Sequence, residues 1–176
     1  ITHGLLCQRP HGTYAALLAD MLGMDTLNLG IPGGCFIEPE MTDYIAGRSD
    51  WDMLLCELGI NVMESMDEAE FRKRVDYLLG TLVHLHPDKH LFCNDIFPSF
   101  FDPDNHGKLV VFRRHVKESA EKLNHPNLHY VPATEIMKTF GGLSVDMLHP
   151  GPDGMIEIAR NWYEKIRPII NSTPGT

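Results

Sequence analysis

Asp146-Met147-Leu148-His149-Pro150 is the string in this chain best suited to moving a proton. An aspartate three residues ahead of a histidine can hold the ring through one nitrogen and leave the other facing a nucleophile. Pro150 favours an extended or turn conformation at His149, so the imidazole need not lie within a helix. The same five residues also suit an ordinary helix-entry loop, because short motifs recur by chance. Two further strings could serve the stabilisation of a developing negative charge. Asn28-Leu29-Gly30-Ile31-Pro32-Gly33 places glycine where backbone N–H groups approach an oxyanion without a side chain in the way. Leu58-Gly59-Ile60-Asn61 offers an asparagine amide as a second donor to the same oxyanion. Each of these also reads as a plain turn.

Other candidates point less clearly to chemistry. His84-x-His86-x-x-x-His90 has the residue type of a metal site, but it spans a helix end and a strand start. Zinc needs ligands that converge in a fixed geometry, so a solvated helix terminus is the simpler reading. Arg72, Lys73 and Arg74 fit a solvated helix face. Phe97, Phe100 and Phe101 could line a pocket or pack beneath a loop, and Arg9 could meet an anionic or sugar substrate. Cys7, Cys35, Cys56 and Cys93 lack C-x-x-C spacing. Cys56 and Cys93 sit in apolar runs as small buried hydrophobes. Cys7 and Cys35 lie in loops, where pairing stays open. The missing disulfide framework favours reduced thiols and, weakly, a cytoplasmic setting.

The elements that must position these residues alternate in type. Helices are predicted over 13–22, 38–46, 67–85, 107–124, 133–138 and 152–170, and strands over 24–29, 51–57, 89–94 and 127–131. Gly23 supplies a helix stop, and Phe71, Val75, Leu78, Leu79 and Leu82 recur at helical spacing. The 51–57 run is nearly all apolar after Asp52, as in a strand covered on both faces. Residues 95–106, rich in Pro, Asp and Phe, read as a long loop. Strand–helix alternation implies a mostly parallel sheet with helices on both faces, and ligands bind such sheets at the carboxyl ends of their strands.

A chain of 176 residues suits one domain, with no repeat or linker to divide it. The net charge of −9 disfavours a nucleic-acid partner, and no apolar run reaches membrane-spanning length.

Taken together, the strings resemble the SGNH (GDSL-like) hydrolase family from Ile1 to about Ile170. Ile1-Thr2-His3-Gly4 resembles the tail of the family's first block, and Asn28 to Gly33 its second. Gly59-Ile60-Asn61 resembles the third block and Asp146 to Pro150 the fifth. Arg9-Pro10 and Glu38-Pro39-Glu40 resemble a bacterial subgroup often found behind a β-sandwich domain. Two departures stand out. Val62 occupies a position where many members carry Asp, and the nucleophilic serine would fall immediately before Ile1. Ser49, Ser65, Ser99, Ser119, Ser144 and Ser172 all lack the family context.

The resemblance implies an α/β fold, a three-layer α/β/α sandwich with a flavodoxin-like five-stranded parallel sheet. Its first strand would lie upstream of Ile1 and inside the sheet, so neighbouring strands would want its backbone partners. It implies a serine-type ester hydrolase acting on small acyl esters, with acetylated carbohydrates suggested by the subgroup. His149 would be general base and then general acid, oriented by Asp146. Gly33 N–H, the Asn61 side chain and the serine's own N–H would form the oxyanion hole. No metal or organic cofactor is implied. The competing expectation is an inactive descendant that keeps the fold as a carbohydrate-binding or scaffold module. Retention of Gly33, Asn61, Asp146 and His149 together argues against it.

Overall fold

In the computed structural model, which describes residues 1–102 and 107–172, the chain divides into two interleaved compact units. The first holds Ile1–Pro32, Phe97–Phe100 and Thr134–Thr176; the second holds Gly33–Ile96 and Phe101–Ala133.

The second unit is built on a parallel sheet. Strands β1 (Met53–Glu57), β2 (His90–Asn94) and β3 (Leu128–Tyr130) pair in the order β1-β2-β3. The register sets Glu57 beside Asn94, Cys56 beside Cys93 and Cys93 beside Tyr130. Helix α2 (Pro39–Ala46) opens on a proline, whose missing N–H costs nothing in the first turn. Helix α3 (Glu68–Leu85) is capped by Asp67, whose carboxylate accepts the Glu70 N–H at 2.8 Å. The predicted stripe from Phe71 to Leu82 is buried along α3, with Phe71 stacked on Phe112 of helix α4 (Gly107–Leu123) at 4.0 Å between centroids. Leu109, Val116 and Ala120 of α4 and Leu91 and Cys93 of β2 complete that core.

The first unit is helical. Helix α1 (Tyr14–Leu22) is capped by the Thr13 hydroxyl and stopped by Gly23 in the left-handed region. It packs against the helix α6 (Pro152–Ser172), which buries Met155, Ile158, Ala159, Trp162 and Ile166 at i, i+3, i+4, i+7 spacing. Between the units in sequence runs the short helix α5 (Ala133–Ile136), four residues where six were predicted.

The sheet departs from the expectation of five strands: the described residues hold three. One expected strand was placed upstream of Ile1, and the predicted strand 24–29 forms no ladder. A strand persists only where a neighbour takes its N–H and C=O groups. Leu27 is 62% exposed, and the Asn28 side chain bonds to Thr2 O and the Gly30 N–H. Nor is β1 fully covered on both faces: Met53 to Cys56 are only half-buried, and β2 is the sole strand paired with them among the described residues. Residues 103–106 of the predicted long loop lie outside the described residues.

Candidate active site

The Asp146–His149 segment is a closed turn. Leu143 and Pro150 form an antiparallel bridge, and the Ser144 N–H donates to His149 O at 2.8 Å. Gly151 N–H then donates to Gly142 O, and the Gly151 carbonyl accepts the first bond of α6 from Met155. Closure demands two small residues: a Cβ on Gly154 would meet Gly142 O at 2.2 Å. Met147 turns the corner at φ 54°, a left-handed conformation uncommon for a residue with a side chain. The Phe100 N–H holds it there by donating to Met147 O at 2.8 Å.

This turn folds the Asp146 carboxylate back onto its own loop. Oδ1 accepts from the Ser144 hydroxyl at 2.8 Å, Leu148 N–H at 3.0 Å and His149 N–H at 2.9 Å. Oδ2 lies 2.7 Å from His149 Nδ1. Partial burial pushes the carboxyl pKa up, but the bonds from the His149 N–H and ring, the Leu148 N–H and Ser144 outweigh it. The group sits well below the usual aspartate range. An ionised Asp146 can only accept, so Nδ1 carries the hydrogen, and in the neutral ring Nε2 presents a lone pair. Such an arrangement can serve general-base chemistry.

Within the same unit, Asn28 ties the start of the chain to the turn at Gly30. Its Nδ2 donates to Thr2 O at 2.9 Å while its Oδ1 accepts the Gly30 N–H at 2.9 Å. Thr2 is further held by the Tyr14 hydroxyl at 2.7 Å.

In the second unit, Asn61 follows the end of β1 through Gly59, whose φ of 123° only glycine adopts readily. A Cβ on Gly59 would stand 2.9 Å from Ile96 Cγ1. The Cys35 N–H donates to Asn61 Oδ1 at 3.3 Å, two residues beyond Gly33, itself at φ 64°. A backbone N–H can bond only to the oxygen of that amide, so Nδ2 with its two hydrogens points elsewhere. The Cys35 thiol, its pKa pushed by burial to about 12, donates to Glu57 O at 3.7 Å. Val62, where many relatives would have Asp, is fully buried, a place where an unpaired carboxylate would be costly.

The structure thus joins Asp146 to His149 in one unit and brings Asn61 to the Gly33–Cys35 segment in the other. Sequence reasoning missed Ser144 and Phe100 as supports of Asp146 and Met147. Ser144 carried a signal, a hydroxyl two residues ahead of the carboxylate; a backbone donor such as Phe100 carries none. It also missed Asn28 as a clamp.

The remaining candidates have other partners. His86 Nε2 bonds to Ala46 O, and His90 Nδ1 meets His129 Nε2 at 3.1 Å across β2 and β3. No three His, Cys, Asp or Glu side chains among the described residues are arranged to hold a metal. All four cysteines are free, Cys7 and Cys35 included. Arg72 pairs with Glu118, and Arg74 with Glu70 and Phe36 O. Phe97 is buried and stacks edge-on with Tyr14, Phe101 packs on the second unit's core, and Phe100 is 45% exposed. No helix among the described residues is long and apolar enough to cross a membrane.

The family model of the GDSL-like Lipase/Acylhydrolase family matches residues 1–155. The chain belongs to this family. Solved structures agree with the GDSL-like fold. A salicylyl-acyltransferase from a tetracycline biosynthetic pathway superposes with a TM-score of 0.81 at 20% identity, over 99% of this chain and 53% of its own. A family two carbohydrate esterase from Clostridium thermocellum, in complex with cellohexaose, gives 0.69 at 17% identity over 93% and 56%. The psychrotrophic esterase EstA from Pseudoalteromonas sp. gives 0.69 at 17% identity over 97% and 93%. The chain spans about half the length of the first two. No curated protein sequence matches it.

Proposed function

We propose that this GDSL-like chain serves an acyl ester hydrolase that works through an acyl-serine intermediate, with the nucleophilic serine immediately ahead of Ile1. One observation carries the reading: the ionised Asp146 fixes Nδ1–H of His149 at 2.7 Å and leaves Nε2 as the available base. Membership of the GDSL-like Lipase/Acylhydrolase family supports a serine nucleophile for that base.

The chemistry then runs in two balanced halves. His149 Nε2 takes the serine hydroxyl proton as the oxygen attacks the acyl carbon, and the carbonyl π electrons move onto oxygen. Gly33 N–H, Asn61 Nδ2 and the serine N–H are the assigned donors to that oxyanion. Its collapse breaks the bond to the alcohol, which leaves with the proton from Nε2. Water loses a proton to Nε2 and attacks the acyl-serine; collapse of that adduct breaks the bond to the serine oxygen, which takes the proton back from Nε2 as the acid leaves. Asp146 stays ionised throughout, stabilising the imidazolium without taking its proton. Small esters are the substrate class, acetylated carbohydrates among them; the carbohydrate esterase neighbour supports this second assignment.

The test uses the parent chain with its upstream residues. It should hydrolyse p-nitrophenyl acetate and be labelled by a fluorophosphonate at the serine before Ile1, and His149→Ala should remove most of both. A parent that neither turns over nor labels would overturn the reading in favour of a binding module.

A further inference from the structure

A buried carboxyl lies close in sequence to Asn61, and the mechanism above does not use it. Glu57 ends β1 at 8% exposure, and its register partner Asn94 ends β2 at 0%. Register partners in a parallel ladder project their side chains to the same face of the sheet. Each carries an oxygen with no hydrogen-bond partner among the described residues, Glu57 Oε1 and Asn94 Oδ1. Asn94 Nδ2 donates one hydrogen to Asp95 O at 2.7 Å, which fixes the amide so that Oδ1 points elsewhere. The Asn94 oxygen therefore needs a donor, and an ionised Glu57 has none to give.

We propose that Glu57 is a positioning residue whose carboxyl is protonated and donates to Asn94 Oδ1, fixing the end of β1 from which Asn61 is hung. This assignment rests on the esterase reading for its role and on the sheet register for its contact. One proton removes both orphans at once, whereas an ionised carboxylate would set acceptor against acceptor in a buried place. The surroundings favour the neutral form. Burial, the largest cause, pushes the Glu57 pKa up; the charge of the terminal ammonium opposes it and that of Asp95 adds to it, and the net direction is upward. Cys35 and Cys56, the other titratable groups near it in this unit, are held as uncharged thiols by burial. Arg113 is committed to Asp102 and Asp95.

The route from Glu57 to Asn61 is short. Leu58 N–H bonds to Asn94 O at 3.1 Å, so the two strand ends are already joined through the backbone. The Glu57 carbonyl accepts the Cys35 thiol, and the Cys35 N–H orients Asn61 Oδ1. Displacement of the β1 end would turn the Asn61 amide and misdirect Nδ2. Glutamine is the isosteric stand-in for a protonated glutamate here, because its amide can donate to Asn94 just as the acid does.

The experiment uses the parent chain with its upstream residues, as wild type, Glu57→Gln and Glu57→Ala. Infrared difference spectra at neutral pH should show a protonated-carboxyl C=O band that Glu57→Gln removes. The Asn61 side-chain amide signal in ¹⁵N NMR should stay in place in Glu57→Gln and move in Glu57→Ala. In the active parent, kcat should fall about tenfold in Glu57→Ala at unchanged KM and return to within about twofold in Glu57→Gln, the loss of one buried hydrogen bond. Absence of the band, or a Glu57→Gln protein that shifts Asn61 as much as Glu57→Ala, overturns the proposal. If Glu57→Ala does not fold, the band and the glutamine variant decide alone. A parent that hydrolyses no ester while the band and the Asn61 signal behave as stated refutes the esterase reading and leaves the contact standing.

Discussion

Around Asp146, four hydrogen-bond donors converge on one carboxylate whose side chain is still 37% exposed. Around Asn61, a single 3.3 Å bond from Cys35 holds the amide among the described residues, and the frame is steric: Leu58, Val62 and Met63 are buried, and Ile96 lies against Gly59. The two turns carry the two halves of the proposed chemistry by different means. A charge gathers donors and can be positioned near solvent by them alone, because charge-assisted bonds are roughly twice as strong as neutral ones. A neutral amide gathers little, so its direction must be imposed by the packing beneath it. The first turn is therefore vulnerable to loss of charge, and the second to changes of volume.

The sharpest way to break that contrast is Asp146→Asn. The amide keeps the size but can present a donor to Nδ1, which favours the wrong tautomer, and activity should fall by about 10⁴-fold in kcat/KM. The variant should also change the acid limb of stability. The folded pKa of Asp146 lies below its unfolded value, so its contribution is present above about pH 4 and is lost as pH falls further toward the folded value. Thermal melts of the two proteins should therefore differ most at neutral pH and converge in acid. A constant gap across that range would show that the donors around Asp146 do not respond to its charge.

The same contrast explains what could be read before the structure. The Asp-x-x-His spacing was legible because a carboxylate three residues from an imidazole needs only local chain reversal. The α3 stripe from Phe71 to Leu82 was legible because helical periodicity is local too. What was not legible depended on neighbours distant in sequence. Nothing at Met147 signals a left-handed turn, since the bond that holds it comes from the backbone of Phe100. The 24–29 run has strand-like residues but no ladder, because pairing is decided by a partner and not by propensity. Glu57 read as part of an apolar strand, and only the register that sets it beside Asn94 gives its carboxyl a meaning.

For the second turn, the corresponding break is Gly59→Ala. The added methyl meets Ile96 Cγ1 at 2.9 Å at a φ of 123°, so overpacking and backbone strain act together. Unfolding free energy should drop by about 1–3 kcal/mol in denaturant titrations. The loss should be insensitive to pH between about 5 and 8, where a volume change has no proton to exchange. A pH-dependent loss would mean that ionisable groups, not packing, frame Asn61.

The smallest effect should come from Ser144→Ala, and it tests how far the donors around Asp146 share their task. The hydroxyl gives one of three bonds to Oδ1, with the Leu148 and His149 N–H groups remaining. The carboxylate is partly exposed, so water can take the place of the lost donor. Stability should fall by about 0.5–1 kcal/mol, at the low end for a hydrogen bond. The His149 ring should keep its Nδ1–H tautomer in ¹⁵N NMR, because the 2.7 Å bond to Oδ2 does not pass through Ser144. Loss of that tautomer on removal of one exposed hydroxyl would show that the turn behaves as a single cooperative network. The charge on Asp146 would then be insufficient to hold His149 without the full set of donors.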